Sequence, residues 1–243
     1  MVVYDGNGKS RTILDIPGTK GYAVGFAELI NFVSSHLPQT EVIENALRTK
    51  AKLLPDDSLR EVIANALVHQ DFAESGTSVM IEIYSDRVEV KNPGLPLITP
   101  ARFIDENQSR NERFAALMRR LRICEEKGSG IDRVVGLAEL TQLPAPDFRV
   151  GEKHTSVVLF GPRPIEAMTA ADRIRACYQH SVLRFIRGQT MTNESLRERF
   201  KLPESKSETV SRIIRDTLDA KLIGNADPAS ASKRYRRYVP FWA

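Results

Sequence analysis

Cysteine is almost absent. The chain holds only Cys124 and Cys177, which lie far apart and fit no metal-ligand spacing, so they read as buried, reduced thiols of a cytosolic protein. No apolar run approaches the roughly 20 residues of a membrane-spanning helix. The opening Met1-Val-Val-Tyr-Asp does not have the layout of a signal peptide. Internal repeats are missing, and the nearest thing to low complexity is Asn225-Ala-Asp-Pro-Ala-Ser-Ala-Ser232. A P-loop is missing too. Gly8-Lys9-Ser10 resembles its end, but the pattern requires glycine five positions before Gly8, where Val3 stands, and no helix signal follows directly. These absences leave the expectation of a cytoplasmic globular protein, made without P-loop chemistry and without a membrane partner.

What is present is ordinary in bulk and uneven in distribution. At 243 residues, 42% hydrophobic and 27% charged, the chain can bury one large core or two small ones. The net charge of +4 hides a split: residues 163–243 carry 16 Lys and Arg against 9 Asp and Glu, and residues 1–162 carry 19 against 22. An acidic body with a basic tail points any anionic partner toward the C-terminal part.

The most informative stretch is Glu61-Val-Ile-Ala-Asn65-Ala-Leu-Val-His69-Gln-Asp71. Pro55-Asp-Asp-Ser58 precedes it with capping residues and acidic charge, so a helix is expected. Asp57, Glu61, Asn65 and His69 sit four apart and stack on one face. Leu59, Val62, Ile63, Ala66 and Leu67 form the other, with Ala64 and Val68 also apolar. From Glu61 to Asp71 the narrow polar stripe has no Lys or Arg, unlike a water-facing stripe. It suits an enclosed polar space where carboxylate, amide and imidazole meet a ligand or metal; an amphipathic helix with a solvated edge would show the same period.

Around it, Val2-Val3-Tyr4 and the run from Thr12 to Ile16 read as strands about the turn Asp5-Gly-Asn-Gly8. A strand starting directly after Met1 points to a fragment of a longer protein. Residues 26–52 look helical, with a break at Leu37-Pro38. Residues 78–84 and 87–91 alternate across Ser85-Asp86 as a hairpin ending on Asn92-Pro93-Gly94. A helix over 112–121 should bury Phe114, Leu117, Met118 and Leu121. Gly128-Ser129-Gly130 then leads into a helix over 131–140, and strands at 148–150 and 156–160 close the first domain, 1–162.

A Gly-x-Gly opening a helix lets backbone N–H groups approach an anion, although such glycines also cap helices. Its place in a series of motifs is more specific. Glu61 to Asp71, Asn92 to Gly94, Ser109-Arg110-Asn111-Glu112 and Glu125-Glu-Lys-Gly-Ser-Gly-Ile131 follow in order. Together they resemble the GHKL (Bergerat-type) ATP-binding fold of gyrase, the ninety-kilodalton heat-shock chaperone and histidine kinases. The nearer resemblance is to the GHKL-like domain of bacterial RecG-related, Schlafen-like (AlbA-domain) regulators, and it covers most of residues 1–162. It implies ATP and Mg²⁺ as cofactors. Asn65 would offer its amide oxygen to the metal, Glu61 would orient or deprotonate the attacking water, and Asn92 would recognise the adenine amino group. His69 and Gly94 would line the site, Gly128, Ser129 and Gly130 would meet the phosphates, and Arg110 and Lys127 would supply cations. The adenine box departs from the general pattern, with Asn92-Pro93-Gly94-Leu95-Pro96 where an Asp and two spaced glycines are usual, and Ile131 replaces the third glycine of the phosphate loop. An amide still accepts one hydrogen bond, without charge. Binding is therefore expected, with slow hydrolysis or, alternatively, a vestigial site in a non-enzymatic DNA-binding or scaffold protein. A RecG-type helicase finds no support, since the chain has neither a P-loop nor an acidic helicase box.

Gly161-Pro-Arg-Pro164 opens a linker over 163–169, and a second domain is expected over 170–243. Three helices at 170–187, 193–200 and 205–220, then a β-patterned tail over 222–241, have the layout of a winged helix-turn-helix. Lys206, Ser207, Ser211, Arg212 and Arg215 lie off the third helix's apolar face. Lys233, Arg234, Arg236 and Arg237 interleave with Tyr235 and Tyr238 where a wing would be. Duplex DNA is the expected partner, although charge on an edge strand can also serve only against aggregation. The sequence reading is thus an α+β protein: a GHKL α/β sandwich followed by a winged helix, acting as an ATP-binding, DNA-binding regulator. Schlafen-like relatives carry a further N-terminal nucleic-acid-binding domain, which residues 1–243 are not expected to include. The GHKL fold commonly dimerises, so a homodimer is allowed, but no residue pattern marks its interface.

Overall fold

Alternating apolar residues at Ile81, Ile83, Val88 and Val90 put one buried face on a hairpin, and the rest of the first unit is laid against it. The computed structural model describes residues 1–44, 47–124, 130–227 and 236–243, with 39–44 and 47–51 described by backbone alone. The chain separates into two units, residues 1–134 with 146–162, and residues 135–145 with 163–243.

In the first unit, β1 (Val2–Tyr4) and β2 (Thr12–Asp15) form a hairpin. The helix α1 (Tyr22–Ser35) follows, then the antiparallel pair β3 (Gln39–Glu44) and β4 (Leu47–Lys52). This pair corrects the expected helix through residue 52. Thr40, Val42, Ile43 and Thr49 are β-branched, and register pairs Val42 with Thr49, so cross-strand pairing prevails over local helical pattern. Next come α2 (Asp56–His69), β5 (Met80–Ile83) and β6 (Arg87–Pro93). They precede α3 (Glu112–Arg120), β7 (Asp147–Val150) and β8 (His154–Phe160), while α4 (Ile131–Leu140) begins in this unit and continues into the second. The six-stranded sheet has the order β2-β1-β5-β6-β8-β7, with β1 parallel to β5 and every other pairing antiparallel.

The α2 helix packs on β6, α1 and α3. Leu59, Val62, Ile63, Ala64, Leu67 and Val68 are all buried. No side chain caps its start: the N-cap is Pro55, not a hydroxyl or carboxylate from the Asp-Asp-Ser run. Asp56 and Asp57 still favour the positive end of the helix dipole. At the other end the Asn111 amide donates to the carbonyls of Val68 and Gln70, both at 2.8 Å, satisfying acceptors that a helix end leaves over.

The expected core face of α3 is also corrected. Met118 and Ala115 are buried, whereas Leu117 and Leu121 are about half exposed, at 48% and 50%. Phe114 instead joins Tyr22 and Phe72 in an aromatic cluster, with centroids 6.1 and 5.9 Å away.

The opposite face of the sheet mixes buried apolar residues such as Val2, Tyr84 and Val158 with buried carboxylates. Glu82 and Glu89 stand directly across from each other on β5 and β6, an arrangement that repels unless countered. Lys91 reaches Glu82 at 2.6 Å, Arg87 reaches Glu89 at 2.8 Å, and Lys9 also pairs with Glu82. Burial pushes the Glu82 carboxyl up, but Lys9 and Lys91 outweigh it and hold it below the usual range.

In the second unit, α5 (Ala170–Ile186) and α6 (Asn193–Arg199) each begin with a capping box, from Thr169 with Asp172 and from Thr192 with Ser195. Then α7 (Ser207–Asp219) leads to the antiparallel pair β9 (Ile223–Asn225) and β10 (Tyr238–Pro240). Val182, Leu183, Met191, Leu196, Val210, Ile213 and Ile214 are buried, while Ile186 at the end of α5 is 40% exposed. Glu139 accepts from His180 at 3.1 Å and pairs with buried Arg199 at 3.5 Å. The Arg199 guanidinium also donates to the Leu143 carbonyl at 2.7 Å.

Candidate functional site

The narrow polar stripe of α2 opens into a cavity of about 570 Å³. Glu61, Asn65 and His69 line it. Asp57, the first residue of the stripe, does not join them: it is exposed and pairs with Arg133 at 2.8 Å. The other walls come from β6 and β8, the segment between β6 and α3, one face of α3, and the start of α4.

Glu61 is the most constrained of these groups, at 9% exposure. It accepts from the Asn65 amide at 2.9 Å. A Cβ placed on Gly130 would stand 2.8 Å from the Glu61 Cδ and overlap Oε1, so the carboxylate occupies room that only glycine leaves. Gly130 has no positive φ; the reason for glycine is space, not torsion. Cys124 lines the same end, where burial and then the Glu61 charge push its thiol up to about 11. It stays a thiol at neutral pH and is a poor nucleophile. Burial lowers His69 from its ordinary value, so it is neutral at pH 7.

Asn92 stands at 9% exposure on β6, and its amide donates to the Pro93 carbonyl at 3.2 Å. That bond fixes the amide's orientation, since an oxygen cannot face the carbonyl. Thr155, directly across on β8, also lines the cavity and donates to the Gly94 carbonyl at 2.9 Å. Gly94 has φ of +95° and lies so close to Asp71 that a Cβ would come 2.6 Å from the Asp71 Cβ. Arg110 pairs with Asp71 at 2.8 Å and donates to the Leu95 carbonyl at 2.8 Å. Asp71, Gly94 and Arg110 thus form a brace along one wall.

The structure therefore brings Glu61, Asn65, His69, Asn92, Arg110 and Gly130 to one cavity. Gly94 lies behind its wall, and Lys127, Gly128 and Ser129 fall outside the described residues. Sequence reasoning missed Thr155, Cys124 and Arg119. Thr155 faces Asn92 only through the β6–β8 register, and apolar periodicity carries no signal for the other two.

In the second unit, Lys206 just before α7 and Ser211, Arg212 and Arg215 along it are exposed, away from buried Val210, Ile213, Ile214 and Thr217. Ser207 is half-buried and donates to Asn193 at 3.0 Å, while the Asn193 amide donates to the Ser211 hydroxyl at 3.0 Å. Both hydroxyls are thus tied to the start of α6. Arg236 is half-buried and Arg237 exposed just before β10; Lys233 and Arg234 lie outside the described residues.

No curated protein matches the chain. The fold is similar to that of the DIP2311 protein from Corynebacterium diphtheriae, with a TM-score of 0.63 and 17% identity over 99% of this chain and 51% of that one. At such identity the likeness concerns the fold alone, and the chain spans about half the length of that protein. Among the described residues, no helix is long and apolar enough to cross a membrane. Residues 76–159, which include Asn92, Gly94, Arg110, Gly130 and Thr155 but not α2, match the family described as "Putative ATP-dependent DNA helicase recG C-terminal", an ATPase-like domain whose likeness suggests nucleotide binding.

Proposed function

We propose that the cavity of the first unit binds ATP with Mg²⁺, and that the protein is a cytoplasmic, ATP-responsive regulator that binds duplex DNA through its C-terminal part. The observation that carries the nucleotide reading is the packing of the Glu61 carboxylate against Gly130, with Asn65 bonded to it, inside a cavity whose sheet wall holds Asn92 and Thr155. An acid, an amide and a glycine at a helix start suit the phosphate end, and a tethered amide suits an aminopurine edge. The residues fit the metal: with its Nδ2 spent on Glu61, Asn65 has an oxygen for a hard cation that otherwise takes phosphate and water oxygens. Bound there, the ion would neutralise phosphate charge. Glu61 is placed to hold a water and take its proton. Gly128 and Ser129 complete the phosphate loop in this reading, with Lys127 beside it, and Arg110 serves the wall through Asp71.

The working division is a GHKL-type domain over 1–162 and a winged helix over 170–243. Support for the second comes from three helices followed by an antiparallel strand pair, and from the exposed cations of α7. There Arg212 and Arg215 would read or flank the groove, with Lys233, Arg234, Arg236 and Arg237 on the wing meeting backbone.

Two measurements test the two halves. ATP with Mg²⁺ at a hundred times its dissociation constant should stabilise the protein by about 2.7 kcal/mol; no shift at millimolar ATP means a vestigial site. Duplex binding by the full chain should weaken with salt at about 0.9 log units per phosphate contact. Replacing Arg212, Arg215, Arg236 and Arg237 with Ala should flatten that slope by up to about four contacts, and an unchanged slope would remove the DNA reading.

A further inference from the structure

Resting on the nucleotide reading, we infer that Arg119 is the cation that grips the terminal phosphates, so that this residue makes the cavity prefer a nucleoside triphosphate to the bare nucleoside. Among the described residues, three arginines line the cavity: Arg110, Arg113 and Arg119. The Arg110 guanidinium is already committed to Asp71 and the Leu95 carbonyl. Arg113 is exposed. Arg119 is half-buried on α3, and its guanidinium makes no hydrogen bond or ion pair with any described residue.

A guanidinium cannot shed its proton, and withdrawing one from water without an anion is costly. Half-buried on the cavity wall with no direct partner among the described residues, the Arg119 guanidinium is open to an anionic ligand. Its position suits phosphate. Arg119 lines the same cavity as Glu61, Asn65 and Gly130, the residues assigned above to the phosphate end. One turn earlier α3 shows the cavity only Ala115 and Ala116, so no bulky side chain bars the approach. The planar fork can hold two phosphate oxygens at once.

Calorimetric titration of the full chain with Mg²⁺ and either ATP or adenosine tests the assignment. Arg119→Gln should lower ATP affinity by about ten-fold to a hundred-fold, the range for hydrogen bonds to charged groups, and leave adenosine affinity unchanged. Arg119→Lys should recover part of the loss, as a point charge without the fork, and Arg120→Gln, on the exposed neighbour, should change neither. Equal ATP affinity in wild type and Arg119→Gln overturns the assignment, as does a parallel loss of ATP and adenosine. Failure of wild type to bind ATP at all sinks the nucleotide reading itself, a result the variants do not mimic.

Discussion

Substituting Gly130 with alanine should force Glu61 out of its place. A Cβ there would lie 2.8 Å from the Glu61 Cδ and overlap Oε1, so the carboxylate must swing and give up its 2.9 Å bond from Asn65. Overpacking of this kind costs about 1–3 kcal/mol. For a unit of this size that is a fall in Tm of about 3–10 °C. The cost should nearly vanish in a Glu61→Ala background, because the clashing atoms are gone, giving a coupling of about 1–3 kcal/mol in a double-mutant cycle. The only tryptophan, Trp242, belongs to the second unit, so its fluorescence should report an unchanged transition there. Hydrogen exchange along α2 should report the loss. If Gly130→Ala costs the same with Glu61 present or absent, the close packing of these two residues is not what demands glycine.

Leu59, fully buried on α2, should cost about 2–5 kcal/mol on replacement by Ala, whereas Leu121→Ala, half exposed after α3, should stay within about 0.5 kcal/mol; urea denaturation of both variants checks the revised core. The Glu82 carboxyl sits below its ordinary value of 4.5 in the folded chain, so the unfolded chain binds more protons there and stability falls as pH is lowered. That contribution is present above about pH 4.5, is lost as pH drops through the folded value, and should be missing from the acid limb of Glu82→Gln.

Much of the fold could be read locally. The polar stripe of α2, the alternation of β5 and β6, and the limits of α4 each depend on residues within one element, where a period of about 3.6 or 2 is set by backbone geometry. The motif residues Glu61, Asn65, Asn92 and Gly130 stood out through the order of their motifs, which resembles a known series, and all four line one cavity.

What the sequence determined by itself was therefore the kind of most elements and their order, together with the charge split between the two parts of the chain. Tertiary structure decided what each element faces. Residues 39–52 became a hairpin because strands gain their bonds from a partner, not from their own turn. Around α3, Met118 kept its place in the core and Ala115 joined it, while Leu117 and Leu121 stayed half exposed, because burial is set by the surface opposite a helix and not by its apolar stripe. Thr155 met Asn92 through strand register, and Arg119 came to line the cavity through the packing of α3 on α2. The Asn92–Thr155 pairing joins residues 63 positions apart, and no local pattern encodes a distance closed only when the chain folds.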